Sequence, residues 1–355
     1  MLADWYYRYE HRVGFFAMVA GFAFDWFTLW RIDLLAEHIL IITYLSICII
    51  TTVYLSLVEE RSKQGIWWRR FYTTGLFVLQ FALGGLFGRF LLFYTISGSI
   101  AGSWPFLLVL FAVLVANELS RHHYQRYVMR MSAFALALLS YSILLLPVLL
   151  ARMSDTIFLF SVFASLVVFT FLNRSIMRFF PSFRVQRNQL ISVVLVLYTI
   201  VTLLYFGNLI PPIPLSLKAG DVYHNVTRSG SDYVSVTEDY SWVAGLVPGK
   251  SVHIIRGAKL YYYNSVFAPT RLTAQITHQW QKWNEEGGKW QTISTIRFPV
   301  VGGSDGGYRG YSEKSNVGAG HYRVNIMSER GALIGRTNFE VVVVPIVPTL
   351  TTIKR

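Results

Sequence analysis

From residue 13 to residue 210 the chain alternates long apolar runs with short polar loops. A helix needs about 20 apolar residues to cross a bilayer, within roughly 17–25. Seven runs meet that length, at 13–31, 34–57, 71–95, 100–118, 130–151, 155–173 and 190–210. The first two are joined by Arg31, Ile32 and Asp33, which suits a helical hairpin, and the third and fourth share the soft joint at 96–105. Pro147 predicts a kink in the fifth. The last run stops at Pro211, Pro212 and Pro214, which cannot continue a helix. From residue 221 the period changes to two, which predicts strands at 221–227, 232–238, 251–257, 259–267, 272–283, 289–299, 308–313, 320–328 and 333–344. Turn signals such as VPGK, EEGGK, GGSDGG and SERG separate them. The expected layout is an interfacial segment at 1–12, a seven-helix transmembrane domain at 13–210, a proline-rich junction and irregular segment at 211–250, and a β-sandwich at 251–355. The fold class is thus a membrane all-α bundle followed by an all-β, immunoglobulin-like sandwich.

Composition supports this division. Of the 355 residues, 54% are hydrophobic and 14% charged, with a mean hydropathy of +0.43. Soluble chains carry about 25% charge. The net charge of +13 is not a nucleic-acid patch, because Lys and Arg divide evenly, 16 before residue 212 and 16 after it. In the first half they gather in alternate loops. With the N-terminus cytoplasmic, 13 fall in the inside segments 1–12, 58–70, 119–130 and 174–189, against Arg31 and Arg152 outside. That asymmetry predicts a cytoplasmic N-terminus and a periplasmic C-terminal domain in a bacterial inner membrane. Cys48 is the single cysteine, so the outer domain can hold no internal disulfide. The start MLADWYYRYEHR reads as interfacial, with no cleavable signal.

Ionisable groups within apolar runs are costly and are treated as candidates for function. Asp25, Glu37, His38 and Arg89 all fall in the outer halves of their runs and could line a polar pocket under the soluble domain. The competing role is a structural ion pair. Glu118 is expected to face Arg121 at the cytoplasmic end of the fourth run. Gly84 and Gly88 form a small-residue spacing for close helix packing, and Gly85 widens that face.

In the β half, His278, Trp280, Trp283, Trp290, Tyr308, Arg309, Tyr311, Lys314 and Arg323 crowd together. On alternating strands such residues could share one exposed face suited to a glycan, a peptide or a protein partner. Trp280 and Trp290 could instead form the sandwich core. The same region carries a resemblance: Ile276–Trp280, Arg309–Lys314, Gly320–Val324, and Gly331–Arg336 with Phe339 are similar to the C-terminal domain of the bacterial family called domain of unknown function 2914, over about residues 272–344. The resemblance implies a multispan membrane region ahead of the domain and a bacterial envelope setting. It implies no catalytic residue.

No catalytic, metal or cofactor motif is recognisable. Histidines 224, 253, 278 and 321 have no metal-ligand spacing, and no nucleophile elbow accompanies them. The expected function is a non-enzymatic inner-membrane protein whose periplasmic sandwich binds an envelope component or a partner subunit. The alternatives are a transporter or channel-like component built on Asp25, Glu37 and Arg89, and a membrane enzyme acting on a lipid-linked substrate. Expected partners are membrane lipids and a protein or envelope glycan, with no nucleic acid.

Overall fold

The computed structural model describes residues 34–61, 66–97, 100–119, 126–212, 214–230, 232–238, 250–269, 272–302 and 306–354. The first expected run, with Asp25, and the segment 1–12 lie outside the described residues. The chain divides into two compact units, one holding the helices up to Ile210, the other holding Ile96–Ser103 with Pro211–Arg355.

The helical unit contains α1 (Leu35–Arg61), α2 (Ile66–Ser97), α3 (Ile100–Leu119), α4 (Tyr127–Leu149), α5 (Asp155–Phe179) and α6 (Arg187–Phe206), with a 3-10 turn at Pro181–Gln186 before α6. Among the described residues five helical stretches are long and apolar enough to cross a membrane. The expected run at 155–173 is extended by almost two turns, to Phe179. Helix α4 contacts α1, α5 and α6. Several hydroxyls within these apolar helices are satisfied locally: Thr52 donates to the carbonyl of Cys48 and Ser56 to that of Thr52, each at 2.8 Å. Helix α5 starts at Ser154, whose hydroxyl accepts from the Ile157 amide at 3.2 Å, and Asp155 sits where the helix dipole favours an anion. Helix α6 ends at Gly207, and Asn208 takes a left-handed φ of 55° before the prolines begin.

Two expectations for the helices change. Pro147 lies in the last turn of α4, too close to the end to kink its middle. Of Gly85 and Gly88 in α2, Gly85 is the crowded one. A Cβ there would stand 3.1 Å from the Tyr44 ring of α1, whereas at Gly88 it would meet open space. Gly75, one α2 segment earlier, is tighter still, against Leu55 at 2.9 Å and Tyr54 at 3.0 Å.

The β unit has eleven strands among the described residues: β1 (Ser216–Tyr223), β2 (Asn225–Ser229), β3 (Asp232–Glu238), β4 (Lys250–Ile254), β5 (Leu260–Phe267), β6 (Thr273–Asn284), β7 (Lys289–Val301), β8 (Tyr308–Lys314), β9 (Gly320–Ser328), β10 (Leu333–Val343) and β11 (Leu350–Lys354). They form three sheets, ordered β1-β5-β8, β4-β10-β9-β6-β7 and β11-β3-β2. All pairs are antiparallel except β4 with β10. The segment expected to be irregular, 211–250, thus supplies three strands. Its alternation was obscured by the irregular register between Leu217 and Ala219 and by the break at His224, which splits the single expected strand 221–227 in two. Strand β11, hidden behind a proline-rich stretch, pairs back onto β3.

The main core lies between the five-stranded sheet and β1-β5-β8. Trp280 is fully buried, edge-on to Tyr262 at 6.4 Å and to Phe339 at 6.1 Å between ring centroids. Tyr262 also fixes the approach of β1: a Cβ on Gly220 would stand 2.3 Å from its hydroxyl, so only glycine fits there. A second, smaller core gathers Tyr223, Val226 and Tyr263, with Tyr233, Tyr261 and Ile353 at its edge.

Candidate functional site

Of the four polar residues expected to line a pocket among the helices, Glu37 and Arg89 meet. Arg89 Nη1 donates to Glu37 Oε2 at 2.6 Å, joining α1 to α2 with both side chains largely buried. His38 turns instead toward α4, where its Nδ1 lies 3.5 Å from the Tyr141 hydroxyl. Asp25 is outside the described residues, and the side chain of Glu118 is likewise outside them.

A more enclosed group sits elsewhere in the same unit. Arg130, expected as a loop residue, lies within α4 and is fully buried. Its Nη1 and Nη2 donate to the two oxygens of Glu59 in α1 at 2.6 and 3.0 Å, and Tyr72 of α2 donates to Glu59 Oε1 at 2.8 Å. The guanidinium stands 5.9 Å from the Tyr127 ring, and the Tyr127 hydroxyl donates to Asn173 of α5 at 2.8 Å. A paired, hydrogen-bonded guanidinium can be buried where a bare one could not. Arg130 thus stands in the first turn of α4 rather than in the loop before it.

In the β unit the nine residues expected on one face fall in three places. His278 and Trp280 point into the main core and are sealed from solvent. His278 Nδ1 is 2.9 Å from Ser312 Oγ, and Trp280 Nε1 donates to that same oxygen at 3.0 Å. Burial pushes the His278 imidazole down to about 3, so it is neutral at ordinary pH. A serine and a histidine in contact suggest a nucleophile, yet no substrate can reach a group at zero exposure. Their role is to satisfy the indole within the core.

Tyr308, Arg309, Tyr311 and Lys314 belong to β8, in a different sheet from the tryptophans. Arg309 Nη1 lies 3.6 Å from Asp232, Tyr311 packs near Tyr233 and Tyr261 at 6.1 Å each, and Lys314 donates to the Ile293 carbonyl at 3.3 Å.

Trp283, Trp290 and Arg323 do come together, on the side of the five-stranded sheet away from the core. Register places Trp283 opposite Trp290 and Gln281 opposite Arg323. The two indoles meet edge-on at 5.3 Å, and the Arg323 guanidinium lies 4.3 Å from the Trp290 centroid. Arg323 Nε donates to Gln281 Oε1 at 2.6 Å. Asn325 spans the next positions, donating to Gln279 Oε1 at 3.0 Å and to Gln281 Oε1 at 3.2 Å, and its own oxygen accepts from Arg336 Nε at 2.7 Å. Burial, reinforced by the neighbouring Arg336 charge, pushes Arg323 down to about 10, and burial lowers Arg336 as well. Among the described residues no carboxylate lies within ion-pair distance of either arginine. Gln281, Asn325 and Arg336 were not picked out from the sequence. The signal for Gln281 and Asn325 was the period-two series Gln279, Gln281, Trp283 on β6, repeated as Arg323, Asn325 on β9; Arg336 had none.

The histidines regroup as well. His224 Nε2 lies 3.0 Å from Glu238 Oε1, His253 Nδ1 lies 2.8 Å from Oε2, and the His253 amide donates to Oε1 at 2.6 Å. The Glu238 carboxylate is 4% exposed. Burial alone would raise it, but the hydrogen bonds from His253 and His224 outweigh that and hold it below the usual carboxylate range. The three residues enclose a carboxylate rather than a cation, and among the described residues no group of three His, Cys, Asp or Glu side chains is arranged to hold a metal.

No curated protein matches the chain. Among solved structures, an immunoglobulin-like protein from Pseudomonas aeruginosa is 12% identical, covering 36% of this chain and 96% of its own, with a TM-score of 0.20. A Pseudomonas fluorescens alkylpurine DNA glycosylase bound to DNA containing an abasic site analog is 9% identical, covering 88% and 99%, with a TM-score of 0.21. Scores this low assign no fold to this chain. The strands from β6 to β10, which carry the tryptophan–arginine face, are where a family model matches: residues 273–341 are similar to the model described as Protein of unknown function (DUF2914).

Proposed function

We propose that this chain is a membrane-anchored binding module of the bacterial envelope, without catalytic activity of its own. In this reading the helices cross the inner membrane seven times from a cytoplasmic N-terminus. The β unit is an immunoglobulin-like sandwich on the periplasmic side, and it binds an envelope component or a partner subunit. The apolar helices and the loop charges support the anchor. The observation that carries the binding role is the outer face of the five-stranded sheet, where two arginines are held in place by neutral amides and, among the described residues, no carboxylate lies within ion-pair distance. A face that only met water would need no such support.

The transporter alternative receives less support. The Glu37–Arg89 pair is already closed at 2.6 Å, as a structural link between two helices would be.

Two measurements test the proposal. A reporter active only in the periplasm, fused after Arg355, should be active, and an inactive fusion removes the seven-span topology. A photo-cross-linking residue at Asn338, exposed and paired with Arg323 in the register, should give a discrete adduct in whole cells, while the same residue at Glu313 on β8 should not. Equal labelling at both positions, or none at Asn338, rejects this face as the binding surface.

A further inference from the structure

Resting on that reading, we propose that the outer face of the five-stranded sheet binds an acidic saccharide, with the ligand carboxylate on the guanidinium groups of Arg323 and Arg336 and a sugar ring against Trp283. Both arginines spend Nε on an amide oxygen, Arg323 on Gln281 and Arg336 on Asn325. Their terminal Nη groups are the donors that match a planar carboxylate with two parallel bonds. Asn325 joins Gln279 and Gln281 by donating to both, and Gln281 Nε2 donates on to Thr292 at 3.0 Å. The arginines are therefore positioned before any ligand arrives, which lowers the ordering cost of binding.

Two like charges on a half-buried face repel, and the amide acceptors are neutral, so among the described residues the pair has no counter-charge within ion-pair distance. An anion relieves this; a neutral ligand does not. Burial first, and the neighbouring Arg336 charge second, disfavour the charged form of Arg323.

The aromatic residues narrow the ligand further. One face of Trp290 is occupied by Arg323, whereas Trp283 is half-buried and meets Trp290 at 65° rather than stacked, so its rings are not both covered by that contact and it is the indole offered to the C–H face of a sugar. Beyond Trp283 the hairpin turn carries Glu285 and Glu286, both exposed.

The test uses the full chain in nanodiscs, titrated with trigalacturonate, neutral maltotriose and tetraglutamate, and followed by calorimetry and tryptophan fluorescence. Trigalacturonate should bind and quench the fluorescence, while maltotriose should bind at least about tenfold more weakly. Arg323→Gln and Arg336→Gln should each weaken trigalacturonate binding by about tenfold or more, and Arg336→Lys by less, since it keeps the charge and loses the fork. Thermal melts of each variant verify folding, and Arg336→Lys carries the test if a glutamine variant does not fold. Trp283→Ala should weaken trigalacturonate while leaving the weaker tetraglutamate response unchanged. The proposal is overturned if maltotriose binds equally well, if tetraglutamate binds more tightly with the same arginine dependence, or if trigalacturonate does not bind at all. In that last case, a surviving Asn338 adduct in cells retains the binding-module reading and rejects the ligand class alone; loss of the adduct rejects both.

Discussion

Arg130 and His278 are two buried polar side chains that behave in opposite ways. Arg130 is met by a partner, since Glu59 answers it with two hydrogen bonds and Tyr72 completes the carboxylate shell. Removing one partner strands the other, at a cost of about 3–5 kcal/mol. Arg130→Met and Glu59→Gln should each lower the melting temperature in detergent micelles sharply, and Arg130→Met with Glu59→Met should recover most of the loss. A double variant no more stable than the singles would show that the pair does more than neutralise itself. His278 instead gives up its charge. Its folded value, about 3, lies below its ordinary 6.5, so the unfolded chain takes up a proton first as pH falls. Its stabilising contribution is complete above about 6.5 and is lost progressively between there and about 3. Denaturant titrations across that window should show stability falling with pH, and His278→Gln should flatten the slope. An unchanged slope would mean that other groups govern it.

Among the elements, Glu238 links strands that belong to different sheets. It ends β3, yet its carboxylate is held by His253 of β4, with His224 between β1 and β2 on its other oxygen. A carboxylate held below 4.5 stabilises the fold above that pH and releases it as pH falls through the lowered value. We expect hydrogen exchange in β2, β3 and β11 to accelerate below about pH 4.5 before exchange in β6 and β9 does, with Glu238→Gln showing the fast pattern already at neutral pH. Equal acceleration in all strands would remove Glu238 as the link. The sequence revealed elements far better than partnerships. The described apolar runs were legible because burial in lipid or core leaves a long, uninterrupted hydrophobic signature, and β6, β7, β9 and β10 because alternation and glycine turns coincide there. Strand β1 was not, since an irregular register at Leu217 and Ala219 breaks the period. The arginine–tryptophan face was half legible: its aromatics and Arg323 stood out by composition, but Arg336 joined them only through a register that no local pattern encodes.

For the whole molecule, the three sheets explain why the expected single binding face divided. A residue on β8 and one on β6 can be close in sequence and in composition and still serve different layers, because β8 joins β5 while β6 joins β9 and β7. The core between those layers is the domain's main store of stability. Trp280→Ala, which empties its centre, should cost about 3–5 kcal/mol and leave the helical unit's melting transition in place. Simultaneous loss of both transitions would show that the two units unfold as one.

The pairing of β11 with β3 has a consequence in time. Leu350 meets Glu238 only after every strand between them has been made. Until then β3 holds one edge open, with β2 alone beside it, and an open edge is a template for another chain. Contacts this distant along the chain also form slowly. The interval between translation of β3 and arrival of β11 is therefore when a nascent copy is most exposed to capture by its neighbours, and a chaperone that shields Asp232–Glu238 would act in that interval.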